Sequence, residues 1–273
     1  MTLSPRRRLA ALITAATLMA ASAVLAGCSG GGASAQGDAP PAEGRIVALL
    51  VDQTCDATPE LTALSKAAFT ESVNAAAGSG GTFLGEAITT NEYRTGTFSV
   101  AKNFVSDRAN DASRQKDLDR QAQQFRDSAE AATLTQGPKP DTPCGSDLLN
   151  AVTAAERAFT QTPGSATRTK DLVFVTNGLV IDQRKGGTNF VFDEITPAYV
   201  NRLLKAQRTK KLFPDLSGVN VYLVGLGVSD QQIAPEQVRA IEDFWSTLAK
   251  QAGAKSVTAV RSGSQIAIDM GDQ

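Results

Sequence analysis

The sequence contains no histidine among its 273 residues, and this absence restricts the chemistry that the protein can perform. A Ser-His-Asp triad, a Cys-His pair and a histidine-ligated zinc site are all excluded. An enzyme would have to rely on carboxylates, lysine and serine, and no spacing in the sequence singles out such a set. We therefore expect a protein that is not an enzyme, with a histidine-independent enzyme as the alternative.

The sequence also lacks a marked excess of charge of one sign, with 27 lysine and arginine residues against 28 aspartate and glutamate residues. Proteins that bind nucleic acid generally present a basic patch to the phosphates. We therefore expect no nucleic-acid partner. The length suits one α/β domain with a full hydrophobic core.

Only three cysteines are present, and the first follows a stretch that is typical of a secretory signal. Three arginines at positions 6–8 precede an apolar stretch, residues 9–26, and small residues lead directly to Cys28. The letters LAGC resemble a bacterial lipobox, which implies a signal peptide over residues 1–27 and a lipid such as palmitate on Cys28. The protein would then be anchored on the extracytoplasmic face of the cell membrane. An uncleaved signal anchor is the alternative, because the apolar stretch is nearly long enough to span a bilayer.

Residues 28–44 are rich in glycine, serine, alanine and proline and show no apolar period, which predicts a flexible tether. The folded domain is then expected over residues 45–273. If Cys28 carries lipid, Cys55 and Cys144 remain, and a disulfide is the default for two cysteines in an oxidising compartment. Two free thiols are the alternative, since spacing alone cannot establish the bond.

From residue 45 onward, short apolar runs alternate with segments of helical periodicity. Strands are predicted over residues 45–51, 82–90, 97–105, 170–178 (ending in a turn at Asn177-Gly178), 218–228 and 255–260. Helices are predicted over residues 59–77, 106–134, 147–159, 196–207 and 234–254, the second of them mostly solvated. This alternation predicts an α/β fold with a mostly parallel central sheet and helices on both faces, a Rossmann-like arrangement.

Three polar loops are expected at the edge of this sheet where ligands bind in open α/β folds, beyond the carboxyl ends of the strands. The loop DQTCD, residues 52–56, follows the first strand. The loop TPCGSD, residues 142–147, precedes the helix near Leu148, and TNG, residues 176–178, follows the strand DLVFV. Their carboxylate, hydroxyl and amide oxygens are the ligands that hard divalent cations prefer.

Taken together, these loops resemble the metal-ion-dependent adhesion site (MIDAS) of von Willebrand factor A-type (VWA) domains. That family places a DxSxS motif after its first strand, a threonine on a second loop and an aspartate in a TDG-like turn on a third. The first motif matches at Asp52, Thr54 and Asp56, Ser146 stands at the second-loop position, and Asn177 stands at the third. The resemblance covers about residues 45–260 in element order and implies a VWA-like domain with a Mg²⁺ or Ca²⁺ site formed by these five side chains.

Two positions depart from the family pattern, because Asp56 replaces the last serine of the first motif and Asn177 replaces the third-loop aspartate. The substitutions move a negative charge within the site without removing every oxygen ligand. In the alternative interpretation the first loop binds no metal, and its threonine and aspartate side chains only cap helices.

The VWA-type architecture makes the first two loops neighbours, so a Cys55–Cys144 disulfide would join them and contribute about 4–5 kcal/mol by the loop-entropy model. The family's ion keeps an open coordination position that a partner carboxylate fills. We therefore expect a protein or cell-envelope partner, bound through the ion or, with Asn177 in place of an acid, without it. A solute-binding lipoprotein or a histidine-independent envelope enzyme is the alternative, although solute-binding lipoproteins usually have two lobes and this chain has room for barely one sizeable domain.

Overall fold

The computed structural model describes residues 44–54, 58–88, 98–134, 148–180, 188–190, 193–211, 213–229, 233–262 and 265–266. The strands in this part of the chain are β1 (Ile46–Asp52), β2 (Thr82–Ile88), β3 (Val100–Asn103), β4 (Lys170–Val175), β5 (Val219–Val224) and β6 (Ser256–Val260). The helices are α1 (Pro59–Gly78), α2 (Asp111–Leu134), α3 (Leu148–Gln161), α4 (Pro197–Thr209) and α5 (Pro235–Gln251). The predicted signal peptide, Cys28 and all but the last residue of the predicted tether lie outside the described residues and stay predictions.

The six strands form one sheet in the order β3-β2-β1-β4-β5-β6. Neighbouring strands are parallel except for β2 and β3, which pair antiparallel at one edge. Parallel neighbours need long crossover connections, which the helices provide, whereas the short connection between β2 and β3 suits a reversal of direction. The predicted α/β fold with a mostly parallel, Rossmann-like sheet is confirmed.

Helices cover both faces of the sheet, because side chains of the central strands alternate between two cores. On β1, Val47 and Leu49 contribute to a core shared with α1 and α2. The intervening Ala48 and Leu50 contribute to a core shared with α3, α4 and α5. Every residue of β1 is buried, as expected for a central strand covered on both faces.

Two predicted elements are shorter in the structure for identifiable reasons. The strand predicted over residues 218–228 ends at Val224, because Gly225 and Gly227 have φ angles of +83° and +78° and turn the chain out of the sheet. The helix predicted from residue 106 begins at Asp111, because Asn110 Oδ1 accepts a hydrogen bond from Ser113 N at 3.2 Å and caps the helix start.

Helices α1 and α4 begin with the same capping arrangement. Thr58 Oγ1 accepts a hydrogen bond from Leu61 N at 3.0 Å, and Thr196 Oγ1 accepts one from Tyr199 N at 3.2 Å. A proline follows each threonine at the start of the helix, where its missing N–H costs nothing. These Thr-Pro pairs therefore determine the residues at which α1 and α4 begin.

Helix α2 is mostly exposed, as its sequence predicts. Its buried residues are Leu118, Ala122, Ala129 and Thr133. Phe125 makes edge-to-face contacts with Phe83 and Phe104, which join the helix to the β2 side of the sheet. Among the helices that the structure describes, none combines the length and the apolar character needed to cross a membrane.

The amino-terminal end of β4 carries a buried acidic side chain. Asp171 is fully buried, its Oδ1 accepts a hydrogen bond from Asn220 Nδ2 at 2.9 Å, and its Oδ2 lies 3.4 Å from Arg45 Nη1. Loss of water around the carboxylate raises the pKa of Asp171, although the bond from Asn220 and the charges of Arg45 and Lys255 act in the opposite direction. The net effect is a pKa above the ordinary value of an aspartate.

Candidate functional site

The carboxyl ends of β1 and β4 lie side by side, because the two strands are parallel and in register up to Val51 opposite Val175. The side chains of Asp52 and Thr176 therefore meet at this edge of the sheet. Thr176 Oγ1 donates a hydrogen bond to Asp52 Oδ2 at 2.8 Å, although the two residues are 124 positions apart in the sequence. This bond connects the first and third of the predicted loops.

The other carboxylate oxygen of Asp52 organises the first loop. Thr54 donates two hydrogen bonds to Asp52 Oδ1, from its backbone N–H at 3.2 Å and from its hydroxyl at 2.8 Å. Aspartate forms such turns with the residue two positions further on. Asp52 is 4% exposed and Thr54 is 7% exposed, and hydrogen bonds to a charged group are strong in a buried setting. Asp52 is thus a buried carboxylate that accepts donors from two loops.

The third loop is closed by its own side chains. Thr176 Oγ1 accepts a hydrogen bond from Gly178 N, and Asn177 Oδ1 accepts one from Leu179 N, both at 2.9 Å. Gly178 has a φ of +80°, a region that favours glycine. Its carbonyl accepts a hydrogen bond from Trp245 Nε1 at 3.0 Å, which fastens the loop to α5. The turn predicted at Asn177-Gly178 is therefore present, and Trp245 is buried in the core.

Gln53 joins the first loop to both β2 and α2. Its backbone N–H donates to Ile88 O at 2.9 Å, at the end of β2. Its Nε2 donates to Thr133 O at 3.1 Å, in the last turn of α2. The last carbonyls of a helix have no partner within the helix, so Gln53 satisfies one of them. This contact positions the end of α2 at the same edge of the sheet as Asp52.

The structure describes three of the five predicted metal ligands. It brings Asp52 and Thr54 into direct contact, and it places Asn177 on the neighbouring loop with its amide oxygen bonded to Leu179 N. The remaining predicted residues of the site and the disulfide lie outside the described part of the chain: Asp56, Ser146, Cys55 and Cys144. Within the described residues, no group of three or more histidine, cysteine, aspartate or glutamate side chains could hold a metal ion.

Sequence reasoning did not identify Thr176 as a residue of this site. Thr176 is fully buried, and its hydroxyl donates to Asp52 while accepting from Gly178. The available signal was its place as the first residue of TNG, directly after a buried strand. Thr176 becomes a neighbour of Asp52 only because β4 lies beside β1 in the sheet, and the sequence does not show this strand order.

The cap of α1 is Thr58 and not one of the predicted site residues. Thr58 provides the side-chain oxygen at the helix start, as described above. The described hydrogen bonds of Asp52 and Thr54 lie within the first loop and connect it to the third loop. Thr58, two residues after the loop DQTCD, therefore caps α1, and Asp52 accepts hydrogen bonds from Thr54 and Thr176.

Several described side chains place oxygen atoms at this edge. The carboxylate of Asp52, the hydroxyls of Thr54 and Thr176 and the amide oxygen of Asn177 suit a hard cation such as Mg²⁺ or Ca²⁺ better than a softer metal. The carboxylate is buried, which gives its charge a larger effect on a nearby ion than it would have in water. The chemistry of the donors therefore fits a hard divalent cation.

Comparison with known proteins assigns no family, because no protein-family model matches the chain and no curated protein matches it significantly. The structure itself defines the class. The chain has a Rossmann-like α/β domain with a buried carboxylate and hydroxyl network where β1 and β4 end.

Proposed function

We propose that the chain is a membrane-tethered lipoprotein whose VWA-like domain binds a protein or cell-envelope partner at the carboxyl edge of its sheet. Lipid on Cys28 anchors the protein, and the domain stands on the extracytoplasmic face of the cell membrane. A disulfide between Cys55 and Cys144 joins the first and second loops. The proposal assigns the protein a binding role and no enzymatic activity.

The hydrogen bond between Thr176 and Asp52 is the observation that carries this proposal. The VWA resemblance requires the first and third loops to meet at one edge of the sheet, and these two side chains are 2.8 Å apart there. Asp52 also corresponds to the first aspartate of the family motif. A buried negative charge shared between two loops is costly unless it is bonded, so such a residue is a candidate for function.

A divalent cation mediates binding in the metal-dependent form of the proposal. Asp52, Thr54 and Asp56 would hold Mg²⁺ or Ca²⁺ together with Ser146 and Asn177, and an acidic group of the partner would complete the coordination. Asn177 supports a metal-free form as well, since its amide oxygen accepts a hydrogen bond within the turn. In that form the same edge contacts the partner directly.

Thermal unfolding of the full chain in a non-ionic detergent tests the metal-dependent form, first with EDTA and then with excess Mg²⁺, Mn²⁺ or Ca²⁺. An ion at about 100 times its Kd adds about 2.7 kcal/mol to the folded state, which raises the Tm by about 5–10 °C in a domain of this size. Asp52→Asn removes the charge with little change in volume and is expected to abolish the rise. Asp119→Asn, at an exposed position of α2, is the matched control and is expected to retain it.

The outcomes separate the two forms of the proposal. A rise in Tm that Asp52→Asn abolishes supports the metal-dependent form, whereas no rise with any ion contradicts it. The metal-free form then predicts that Asp52→Asn reduces crosslinking of the chain to its envelope neighbours and that Asp119→Asn does not.

The lipid anchor is tested separately, because Cys28→Ala is expected to abolish incorporation of labelled palmitate.

A further inference from the structure

A groove runs between the start of α4 and the part of α5 from Glu236 to Thr247, and we refer to it as the α4–α5 groove. Two overlapping cavities of about 500 and 530 Å³ form this groove and share Ile195, Pro197, Glu236 and Ala240. Both helices pack on the same face of the sheet. The groove is lined by none of the described residues of the candidate site, so it is a separate feature of the surface.

The floor of the α4–α5 groove is apolar. Ile195 and Val200 are each 9% exposed, and the half-buried Ala240 lines the groove from the side of α5. Apolar surface at the bottom of a groove gains free energy when apolar groups of a ligand cover it. The floor therefore favours a ligand that brings apolar side chains.

The rim of the groove is acidic. Asp193, Glu194, Glu236 and Asp243 line it, and Arg239 is the one cation among the described lining residues. The side chains of Glu194, Glu236 and Asp243 form no hydrogen bond or ion pair with the described residues. Three carboxylates are thus available to the cations of a ligand, and the lining side chains carry a net negative charge that attracts cations.

The fourth carboxylate of the rim is held in a fixed position. Asp193 Oδ2 accepts hydrogen bonds from the Tyr199 hydroxyl at 2.6 Å and from Asn189 N at 2.8 Å. Burial, together with the bond to Asp193 and its charge, raises the pKa of Tyr199 to about 12. The hydroxyl therefore stays protonated at neutral pH and continues to donate to Asp193. This end of the groove is organised before any ligand arrives, which lowers the entropic cost of binding.

The length of the groove limits the size of its ligand. The groove follows α5 from Glu236 to Thr247, which corresponds to about 16 Å at the rise of an α-helix. An extended peptide rises about 3.3 Å per residue, so about five residues fit. Successive side chains of an extended chain point in opposite directions, so alternate ones can reach the floor while the others lie near the carboxylates at the opening.

We propose that the α4–α5 groove docks a short extended segment of a partner protein in which basic and apolar side chains alternate. The apolar side chains cover the floor formed by Ile195, Val200 and Ala240. The basic side chains pair with Glu194, Glu236 and Asp243 at the rim. The proposal is independent of the function proposed for the β1 and β4 edge, because neither a cation nor Asp52 takes part in it.

Fluorescence anisotropy with a labelled Lys-Leu-Lys-Leu-Lys peptide tests this proposal on the full chain in a non-ionic detergent with EDTA present. The variant Glu236→Gln/Asp243→Asn is expected to weaken binding by about threefold to tenfold, because it removes two partly exposed ion pairs. The matched control is Asp119→Asn/Glu130→Gln, which removes two charges from exposed positions of α2. It is expected to bind the peptide as the wild type does.

Two further peptides separate the floor from the rim. Lys-Ser-Lys-Ser-Lys lacks the apolar side chains and Gln-Leu-Gln-Leu-Gln lacks the charges, and each is expected to bind more weakly than the first peptide. Equal weakening by both double variants would show a response to net charge and would overturn the proposal. Equal binding of the serine peptide, or unchanged binding by the groove variant, would overturn it as well. Loss of the metal response in Asp52→Asn leaves this test unaffected, so the two proposals fail separately.

Discussion

The hydrogen bond from Thr176 Oγ1 to Asp52 Oδ2 can be removed by Thr176→Val, which changes the side-chain volume very little. The substitution also removes the oxygen that accepts a hydrogen bond from Gly178 N. Both bonds are buried, so water does not replace them without a rearrangement of the loops. The stability of this variant therefore measures how much the hydrogen bonds of Thr176 contribute to joining the first and third loops.

The expected cost follows from the two lost bonds. A hydrogen bond to a charged group such as Asp52 contributes about 1.5–3 kcal/mol, and a neutral one about 0.5–1.5 kcal/mol. The added methyl group of valine offsets about 1 kcal/mol through burial. We expect the free energy of unfolding to fall by about 1–3.5 kcal/mol in total, which lowers the Tm by about 2–14 °C.

Urea denaturation and thermal melting of the wild type, Thr176→Val and Thr176→Ser measure this effect. Thr176→Ser keeps the hydroxyl and is expected to lose only the contribution of one methyl group. A double-mutant cycle with Asp52→Asn then isolates the pair, since the cost of Thr176→Val is expected to shrink when Asp52 carries no charge. The reasoning is refuted if valine and serine are equally stable, or if the cost of valine is the same in the Asp52→Asn background.

Two further predictions concern other buried positions. The pKa of Asp171 is raised by folding, so its contribution to stability is fully present below its pKa in the unfolded chain and is lost as the pH rises through its pKa in the folded state. Asp171→Asn removes this titration, so its stability relative to the wild type is expected to rise as the pH increases above about pH 4, measured by urea denaturation; a difference that does not change with pH contradicts it. Gly178→Ala places a Cβ 2.6 Å from Ile241 Cγ2 at a φ of +80°, and a loss of about 2–4 kcal/mol is expected. Gly218→Ala, at a φ of +74° with nothing within 4 Å, is the control for backbone strain and is expected to lose about 1 kcal/mol; equal losses at the two glycines would show that packing against α5 is not involved.

Local patterns were sufficient to predict the elements of the fold. In α1, the buried residues Leu61, Leu64, Phe69 and Val73 lie on one face of the helix. Such a face can be recognised in the sequence because helix geometry sets the spacing of its apolar residues. The boundaries were less accurate where a single residue decides them. Asn110 starts α2 by capping it, which its neighbours in the sequence do not reveal.

The candidate site was predicted only in part, for a related reason. Asp52 and Thr54 are two residues apart, so a contact between them depends on local geometry and could be anticipated from the loop sequence. Gln53 and Thr176 could not be assigned in this way. Gln53 reaches the end of α2, and Thr176 reaches β1, so their roles depend on elements that are distant in the chain.

The sequence by itself determined the absence of histidine chemistry, the alternation of strands and helices, and the presence of Asp52 after a buried strand. Only the tertiary structure decided that β4 lies beside β1 and that Thr176 donates to Asp52. The physical reason is that strand order depends on how two cores are buried at once on opposite faces of one sheet. That burial is a property of many side chains together, and no short stretch of sequence contains it.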